Sequence, residues 1–392
     1  MPCNTVIERP PREPRRSPDL LRASGMIGKS FYRTGMLTSV SESCQPADPP
    51  TPVTGRAKMS DVARIAGVSQ AVVSRLLRGD ETLRIREETR NRVLEVAAQL
   101  RYTPNEVARA LRRAESGILG MAVHDTSNPV YSEIMAGAQE EASASGYALL
   151  LADADELARS DRTFERIVRG NRIDGLLLQR GSSTADETIA KIAATRLPLL
   201  LVNDRTRGEI GSVALDDDDA TYLATRHLVE LGHTAIAHLK LGNPKARSEA
   251  RTRGWRRALR EAGLPDGSQL RGGHTPEEGA AALPRLLASG TAPTGVVVSN
   301  VLAAVGAMTA AREAGLRIPE DLSIVAVHDV FFARHLSPPL TVVRLPLREL
   351  GRRSVAAILR QLEGAPARHE IITELAPELI VRGSTAPRRK QP

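Results

Sequence analysis

The chain has 392 residues, a formal net charge of +8, 41% hydrophobic residues and 26% charged residues, an ordinary globular composition with room for two or three domains. No apolar run approaches the roughly 20 residues that cross a bilayer, and residues 1–55 lack a hydrophobic signal-peptide core. We therefore expect a cytoplasmic protein with no membrane partner. Both cysteines, Cys3 and Cys44, lie in that first segment, which excludes disulfides, cysteine zinc sites and thiol nucleophiles from the folded body.

Residues 1–55 are predicted to be a disordered extension. They hold nine of the 25 prolines among arginines and serines, and such a segment buries too little apolar surface to order itself. Positive charge is concentrated just beyond it, because residues 56–115 carry 13 Lys and Arg against 8 Asp and Glu. This excess favours attraction to a phosphate backbone, although a solvated basic face remains the alternative.

The stretch "SDVARIAGVSQAVVSRLLRG", residues 60–79, contains two helical patterns joined at Gly67. Ser60 and Ser69 stand where the two helices would be capped. Apolar residues share one face of the second helix: Val72, Val73, Leu76 and Leu77. The opposite face presents a different set: Gln70, Ala71, Ser74, Arg75 and Arg78. A pair of packed amphipathic helices and a DNA-reading helix-turn-helix both fit this pattern.

A third pattern, "REETRNRVLEVAAQLRY", completes a three-helix domain over residues 56–104. Its apolar stripe is predicted to face the other two helices: Val93, Leu94, Val96, Ala97 and Leu100. The short polar segment "TPNEVARALRRAESG" follows, and we interpret residues 105–116 as a linking helix. A basic second helix within three helices is typical of domains that place that helix in the major groove.

Beyond Gly117 the sequence alternates between apolar runs and amphipathic helical patterns. Seven runs are typical of strands: "GILGMAVHD", "YALLLAD", "DGLLLQR", "LPLLLVND", "AIAHLKL", "GVVVSN" and "LSIVAVHD". Continuous Val, Leu and Ile runs that alternate with helices predict parallel sheets covered on both faces. We therefore expect an α/β core of two doubly wound sheets.

Several ordered motifs resemble the LacI/GalR (lactose-repressor) family of transcription regulators. They are "DVARIAGVSQAVVSRLLRG", "RYTPNEVARALRR", "TSNPVYSEIMAGAQEEA", "RHLVELGH", "AREAGLRIPEDLSIVAVHD" and "LSPPLT", and they extend from about Lys58 to Ser384. The resemblance implies a helix-turn-helix head, a hinge helix and a two-lobed core like a periplasmic binding protein. The core would span residues 117–384, with one lobe at 117–213 plus 344–372 and the other at 214–343 plus 373–384, before a disordered tail at 385–392.

The resemblance also implies residue roles at DNA. Gln70, Ala71 and Arg75 would face base edges, where Gln pairs with adenine, Arg with guanine, and Ala touches a thymine methyl. Four further residues are expected at phosphates: Ser60, Ser69, Ser74 and Arg78. In the hinge, Leu111 would wedge into the minor groove beside Asn105, Ala108 and Arg109. The alternative is a plain linker with Leu111 packed on the core.

The family's core binds a small effector between its lobes. Carried over by position, the candidate effector-binding residues are Val130, Tyr131, Asn203, Arg251, His274, Asn300 and Asp329. Arg251 and Asp329 suit hydrogen bonds to hydroxyl or carboxylate groups, and the apolar residues suit packing. Structural roles remain open, because Tyr131 could be a core aromatic and Asn300 a turn former. His274 and His328 stand where relatives carry aromatics, and Val301 stands where an acidic residue is common.

Other residues are interpreted as structural. His233 follows a helix-ending glycine, so we expect a turn or strand-end hydrogen bond rather than catalysis. The stretch "LDDDDA", with Asp216 to Asp219, is expected to cap a helix rather than bind metal. The motifs G-x-G-x-x-G, G-x-S-x-G and H-E-x-x-H are absent where an enzyme would need them, so we expect no enzyme and no cofactor. The predicted partners are a double-stranded operator, a small effector such as a sugar, and a second copy in a homodimer.

Overall fold

The computed structural model of the chain describes residues 57–77, 79, 80, 82–102, 115–180, 184, 186–204, 208–242, 245–289 and 292–388. Their contacts divide them into two compact units, one ending at Tyr102 and the other beginning at Thr103. The predicted extension at residues 1–55 and most of the predicted hinge at residues 105–116 lie outside the described residues.

The described part of the first unit is a three-helix head. Its helices are α1 (Met59–Ala66), α2 (Gln70–Leu76) and α3 (Glu87–Gln99). Small and branched side chains from all three helices form one buried cluster, which includes Val62, Ala66, Val73, Leu76 and Val93. The short turn after α1 is possible because Gly67 adopts a left-handed φ of +65°, which glycine tolerates without strain.

Two details of the head differ from the sequence prediction. Helix α1 begins before Ser60, and the Asp61 carboxylate accepts the Lys58 backbone N–H at 2.9 Å, so Ser60 lies in the first turn rather than at the cap. Leu94 remains 44% exposed although it was placed on the apolar stripe of α3. Its position is about 100° around the helix from Val93, which belongs to the buried cluster of the head.

The N-terminal lobe of the second unit surrounds a parallel sheet. Its strands, within the described residues, are β1 (Ile118–Val123), β2 (Ala148–Asp153), β3 (Gly175–Leu178), β4 (Leu199–Val202), β5 (Gly211–Leu215) and β11 (His369–Ile372). Their order is β11-β5-β4-β3-β1-β2, and every pair is parallel. Strands β3 and β4 are buried along their whole length, which explains their continuous leucine runs.

Helices cover both faces of this sheet. They are α4 (Pro129–Ala144), α5 (Ala154–Arg159), α6 (Asp161–Phe164) with a following π-helical turn (Glu165–Arg169), α7 (Asp186–Ala193) and α12 (Leu347–Leu362). Helices α4 and α12 approach closely at two glycines. A methyl group on Gly137 would overlap the backbone oxygen of Arg348, and one on Gly351 would overlap that of Ile134.

The C-terminal lobe has a second sheet of the same kind. Its strands, within the described residues, are β6 (Ile236–Lys240), β7 (Gln269–Arg271), β8 (Gly295–Val298), β9 (Ser323–Val327), β10 (Thr341–Arg344) and β12 (Glu378–Ile380). The order is β12-β10-β9-β8-β6-β7, parallel except for β12 at the edge. Its helices are α8 (Asp217–Glu230), α9 (Lys245–Glu261), α10 (Pro276–Leu287) and α11 (Val301–Glu313), with a 3₁₀ turn at Ala333–His335.

The predicted α/β class and the seven predicted strands are confirmed, and the boundaries need small corrections. The chain crosses between the lobes after Leu215, between Arg344 and Leu347, and after Ile372. The predicted crossings at 213 and 344 cut into strands, because β5 pairs with β11 through Leu215 and β10 pairs with β12 through Arg344.

The predicted disordered tail begins too early. Thr385 is 9% exposed and its hydroxyl hydrogen-bonds with His227 Nε2 at 2.9 Å, while the Ala386 carbonyl accepts from His233 Nε2 at 3.0 Å. The Arg388 N–H also donates to the Leu231 carbonyl. Residues 385–388 are therefore part of the C-terminal lobe, because their backbone groups and hydroxyls complete hydrogen bonds of its helix and strand ends. The same contacts confirm the strand-end role of His233.

Candidate functional site

Helix α2 presents the face predicted to meet DNA. Ser69 caps the helix by accepting the Val72 N–H at 3.3 Å, so the helix begins with Gln70 and Ala71, which are both exposed. Val73 is buried on the opposite side. Two further predicted contacts, Ser60 and Ser69, are exposed, Ser74 is half-buried, and Arg78 lies outside the described residues.

Arg75 is held in place by a residue that the sequence analysis missed. Its Nε donates to Asp80 Oδ2 at 2.7 Å and its Nη2 donates to Thr82 Oγ1 at 3.0 Å. The hydrogen bond from Arg75, with two more from Thr82, lowers the pKa of Asp80 to about 2. The guanidinium is therefore oriented at the end of α2 with its side chain still 43% exposed. An acidic residue shortly after the helix was the available sequence signal.

The predicted hinge contacts cannot be placed. Asn105, Ala108, Arg109 and Leu111 lie outside the described residues.

Arg251 is the centre of a buried polar cluster in the C-terminal lobe. Its side chain is 1% exposed, and its Nε and Nη2 donate to Asp217 Oδ1 at 2.8 and 2.6 Å. A further donor, Nη1, bonds the Ser299 carbonyl, and Nη2 also donates to His328 Nε2 at 3.0 Å. Arg251 thus ties together the start of α8, the end of β8 and the residue after β9.

His328 is a neutral member of this cluster. Burial first, and then the positive charges of Arg251 and Arg247, hold the pKa of His328 well below its ordinary value. Its Nε2 accepts from Arg251, so the proton is on Nδ1, which has no hydrogen-bond partner among the described residues. A buried N–H without a partner is costly and is typical of a position that meets a ligand.

Several predicted effector-binding residues lie near this cluster. Val130 and Tyr131 are buried in the first turn of α4, and the Tyr131 hydroxyl accepts from Gln179 Nε2 at 3.3 Å. Tyr131 lies close enough to Arg251, in the other lobe, to affect the pKa of its guanidinium. We use "interlobe cleft" for the region bounded by Tyr131 and His124 on one side and by Arg251, His274 and His328 on the other.

His274 and His124 meet at one end of the interlobe cleft. Their ring centroids are 6.4 Å apart in an edge-to-face arrangement. His124, which follows β1 and was not predicted, donates from Nδ1 to Asp155 Oδ2 at 2.6 Å. His274 also borders a cavity of about 390 Å³ in the C-terminal lobe, whose other lining residues include Gly242, Arg271, Gly273, Glu278 and Arg285.

Three predicted effector residues have structural roles in this structure. Asn300 caps α11 by accepting the Leu302 N–H at 2.8 Å, and Asn203, at a φ of +52°, accepts the Leu215 N–H at 3.3 Å. Asp329 differs most from the prediction. Its carboxylate oxygens Oδ2 and Oδ1 accept hydrogen bonds from Arg344 Nη2 and Arg382 Nη2, each at 2.8 Å, because these arginines lie beside the end of β9. Asp217, rather than Asp329, is the carboxylate that contacts Arg251.

Of the aspartates at the start of α8, only Asp216 takes the capping role that the sequence suggested, and the other three pair with arginines. Asp216 caps the helix by accepting the Asp218 N–H at 3.2 Å, and Asp218 and Asp219 pair with arginines of α9. No helix in the described part of the chain is long and apolar enough to span a membrane.

Buried histidine makes the stability of the C-terminal lobe depend on pH. His238 is fully buried, and burial with nearby cations lowers its pKa to about 3. In the unfolded chain His238 binds a proton below about pH 6.5, whereas in the folded chain it binds one only below about pH 3. The free energy of unfolding therefore falls as the pH falls from about 6.5 to about 3. We expect the free energy of unfolding to be about 2 kcal/mol lower at pH 5 than at pH 7 from this group.

Urea denaturation followed by the fluorescence of Trp255 measures this effect, because Trp255 is the one tryptophan in the sequence and stacks on His238 at 5.6 Å. His238→Phe keeps the aromatic stacking. It should reduce the number of protons taken up on unfolding by about one between about pH 6.5 and about pH 3. An unchanged pH dependence in the variant would contradict the assignment.

Comparison with known proteins agrees with these features. Residues 58–105 match the model of the bacterial regulatory proteins of the lacI family, and residues 225–385 match the periplasmic binding protein-like domain. The transcriptional regulator DegA of Bacillus subtilis is 32% identical over 333 residues, which cover 83% of this chain and 97% of DegA.

Solved structures give the same result. The lac repressor dimer bound to operator and the anti-inducer ONPF has a TM-score of 0.71 at 27% identity and covers 85% of this chain and 100% of that one. A LacI family regulator from Enterococcus faecium with bound ribose has a TM-score of 0.60 at 28% identity, covering 69% and 100%. The curated relatives are transcriptional regulators rather than enzymes. This chain belongs to the LacI family of bacterial transcriptional regulators.

Proposed function

We propose that this protein represses transcription by binding a near-palindromic operator as a homodimer, and that a sugar or related metabolite in the interlobe cleft controls this binding. The observation that carries the proposal is the exposed face of α2, where Gln70 and Ala71 begin the helix and Asp80 orients Arg75. Gln and Arg form bidentate pairs with adenine and guanine in the major groove. Ser60, Ser69, Ser74 and Arg78 are proposed to contact phosphates, which fix the register of the head.

The homodimer is supported by an apolar edge. Strand β2 is the last strand of its sheet, and Leu150 and Leu151 on it are 37% and 49% exposed. Exposed leucines on a sheet edge are usually covered by a partner. In a dimer the two heads would occupy two half-sites, and Leu111, with Asn105, Ala108 and Arg109, is proposed to contact the minor groove at the operator centre.

Control by an effector is supported by the interlobe cleft. Tyr131 lies close enough to Arg251, in the other lobe, to affect the pKa of its guanidinium, and His328 keeps a buried N–H that no described residue accepts. A molecule that bonds both lobes favours one arrangement of the lobes over another, and such a preference changes operator affinity by linkage. Val130, His274, Asn203, Asn300 and Asp329 remain proposed as surrounding or supporting residues of this site.

The test is selection of operators from random duplexes, followed by binding measurements with the full chain. We expect a near-palindrome, and Arg75→Ala should lose about 1–3 kcal/mol of discrimination against a duplex changed at the base that Arg75 reads. Arg64→Ala, an exposed arginine of α1, is the control and should weaken binding to both duplexes equally.

Two outcomes would contradict the proposal. One is an equal loss of affinity for both duplexes in Arg75→Ala, which would show that Arg75 does not read a base. The other is equal affinity for the full palindrome and for a single half-site, which would show that the protein does not bind its operator as a homodimer.

A further inference from the structure

Arg247 is a buried cation that no described residue neutralises. It lies in the first turns of α9, one turn before Arg251, and is 8% exposed. Its Nε has no hydrogen-bond partner, and no carboxylate in the described part of the chain forms an ion pair with it. Burial of an unpaired charge is expensive, so a folded protein keeps such a group only where something outside the chain compensates it.

The carboxylates described above already have hydrogen-bond partners. Asp217 accepts two hydrogen bonds from Arg251, and Asp155 accepts one from His124. Asp329 is divided between two other arginines. Asp217 and Asp329 are thus matched by other arginines, and Arg247 leaves an excess positive charge.

Arg247 lies close to the interlobe cleft. Its positive charge contributes, after burial, to lowering the pKa of both Arg251 and His328, which places it near the two groups at the centre of the cluster. Helix α9 follows β6, so its first turns lie at the carboxyl edge of the second sheet, where the lobes meet. The positive end of the helix dipole adds to the charge of Arg247 there.

The cavity that His274 borders also has more basic than acidic side chains in its lining. Arg271 and Arg285 line it with His274, and the carboxylate of Glu278 is used by the backbone N–H groups of His274 and Thr275, at 2.7 and 3.1 Å. A neutral sugar would satisfy hydroxyl contacts in such a site but would leave the buried cation without a counterion.

We propose that the effector carries an anionic group, a carboxylate or a phosphate, which binds Arg247 at the start of α9. This inference rests on the proposed effector control and adds the chemical class of the effector. Arginine presents parallel N–H groups to either oxyanion, so both sources share one recognition chemistry. In the unliganded protein the unpaired Arg247 lowers stability, and binding of the anion restores it.

The first experiment measures the thermal midpoint of the full chain with and without 10 mM inorganic phosphate, at constant ionic strength. We expect phosphate to raise the midpoint of the unchanged protein by about 2–4 °C. Arg247→Gln should show no rise, and its midpoint without phosphate should equal or exceed that of the unchanged protein because a buried unpaired charge has been removed. Arg247→Lys keeps the charge and should retain part of the rise.

Arg260→Gln is the matched control, since Arg260 is an exposed arginine of the same helix. It removes the same charge and should leave the rise unchanged. Equal rises in Arg247→Gln and the unchanged protein would show an adventitious ion only, and no rise in the unchanged protein would equally overturn the inference.

Matched sugars then separate the two sources of the anion. D-ribose 5-phosphate is compared with D-ribose, and D-galacturonate with D-galactose, in the same thermal assay. If only one charged sugar raises the thermal midpoint more than its neutral counterpart does, its anionic group, phosphate or carboxylate, is the one that Arg247 binds. A larger rise of the midpoint with the neutral sugars overturns the inference. If operator binding responds to a neutral sugar while phosphate has no effect at Arg247, the inference fails and the proposed function stands. Absence of operator binding would remove the proposed function itself.

Discussion

Arg251→Met is expected to lower the free energy of unfolding of the C-terminal lobe by about 3–5 kcal/mol, because it leaves Asp217 charged, buried and without its partner. The Ser299 carbonyl and His328 lose the same donor. Urea denaturation monitored by Trp255, on the same helix, measures the loss. The effector response should disappear as well, since Arg251 is proposed to bind the effector in the interlobe cleft.

A double variant separates stability from recognition. Arg251→Met combined with Asp217→Leu removes both charges, so it should recover most of the lost stability while the effector response stays absent. Operator binding without effector should return with the stability. If the double variant is as unstable as the single one, the buried pair is not the cause of the loss. A normal dose response in the double variant would remove Arg251 from the proposed effector site.

Gly137→Ala is expected to lower the free energy of unfolding by about 2–3 kcal/mol, although alanine favours helix formation. The added methyl group would overlap the Arg348 backbone oxygen, so α4 and α12 must move apart rather than adjust one flexible side chain. Because α4 begins with Val130 and Tyr131, the displacement should also weaken effector binding. Denaturation and ligand titration of the same variant test both effects.

Ser143→Thr is the control, because it also adds one methyl group to α4 but at an exposed position. It should change stability by less than about 0.5 kcal/mol. Gly351→Ala, on the other side of the crossing, should reproduce the loss of Gly137→Ala, and the two losses should not add because they open the same contact. Independent, additive losses would argue against a shared helix crossing.

Local pattern was enough to predict the head and seven strands of the two sheets, but not the interior strands β5 and β10. The cap at Ser69 and the exposed pair Gln70 and Ala71 follow from spacing within one helix, which depends on no distant residue. Continuous runs such as those of β3 and β4 are distinctive because both faces are buried. The edge strands β7, β11 and β12 carry polar residues in short runs and were not predicted.

Partners distant in the sequence were not predictable in the same way. The family resemblance singled out Arg251 as an effector-binding residue, yet its carboxylate partner depends on how α8 and α9 pack. Asp329 looked available until the fold brought Arg344 and Arg382 beside it. Thr385 looked like part of a polar tail, and its burial against His227 and Thr341 becomes visible only in the folded chain.

The discontinuous lobes determine the order in which the protein can fold during synthesis. The head has its own buried cluster and is complete at Tyr102. The first sheet is complete only when β11 has been synthesised, and the second requires β12 and the hydrogen bonds of residues 385–388. Domains fold as their residues leave the ribosome, so both lobes must finish late and close together in time. A chain truncated before β11 would therefore carry a folded DNA-binding head joined to a core that cannot sense its effector.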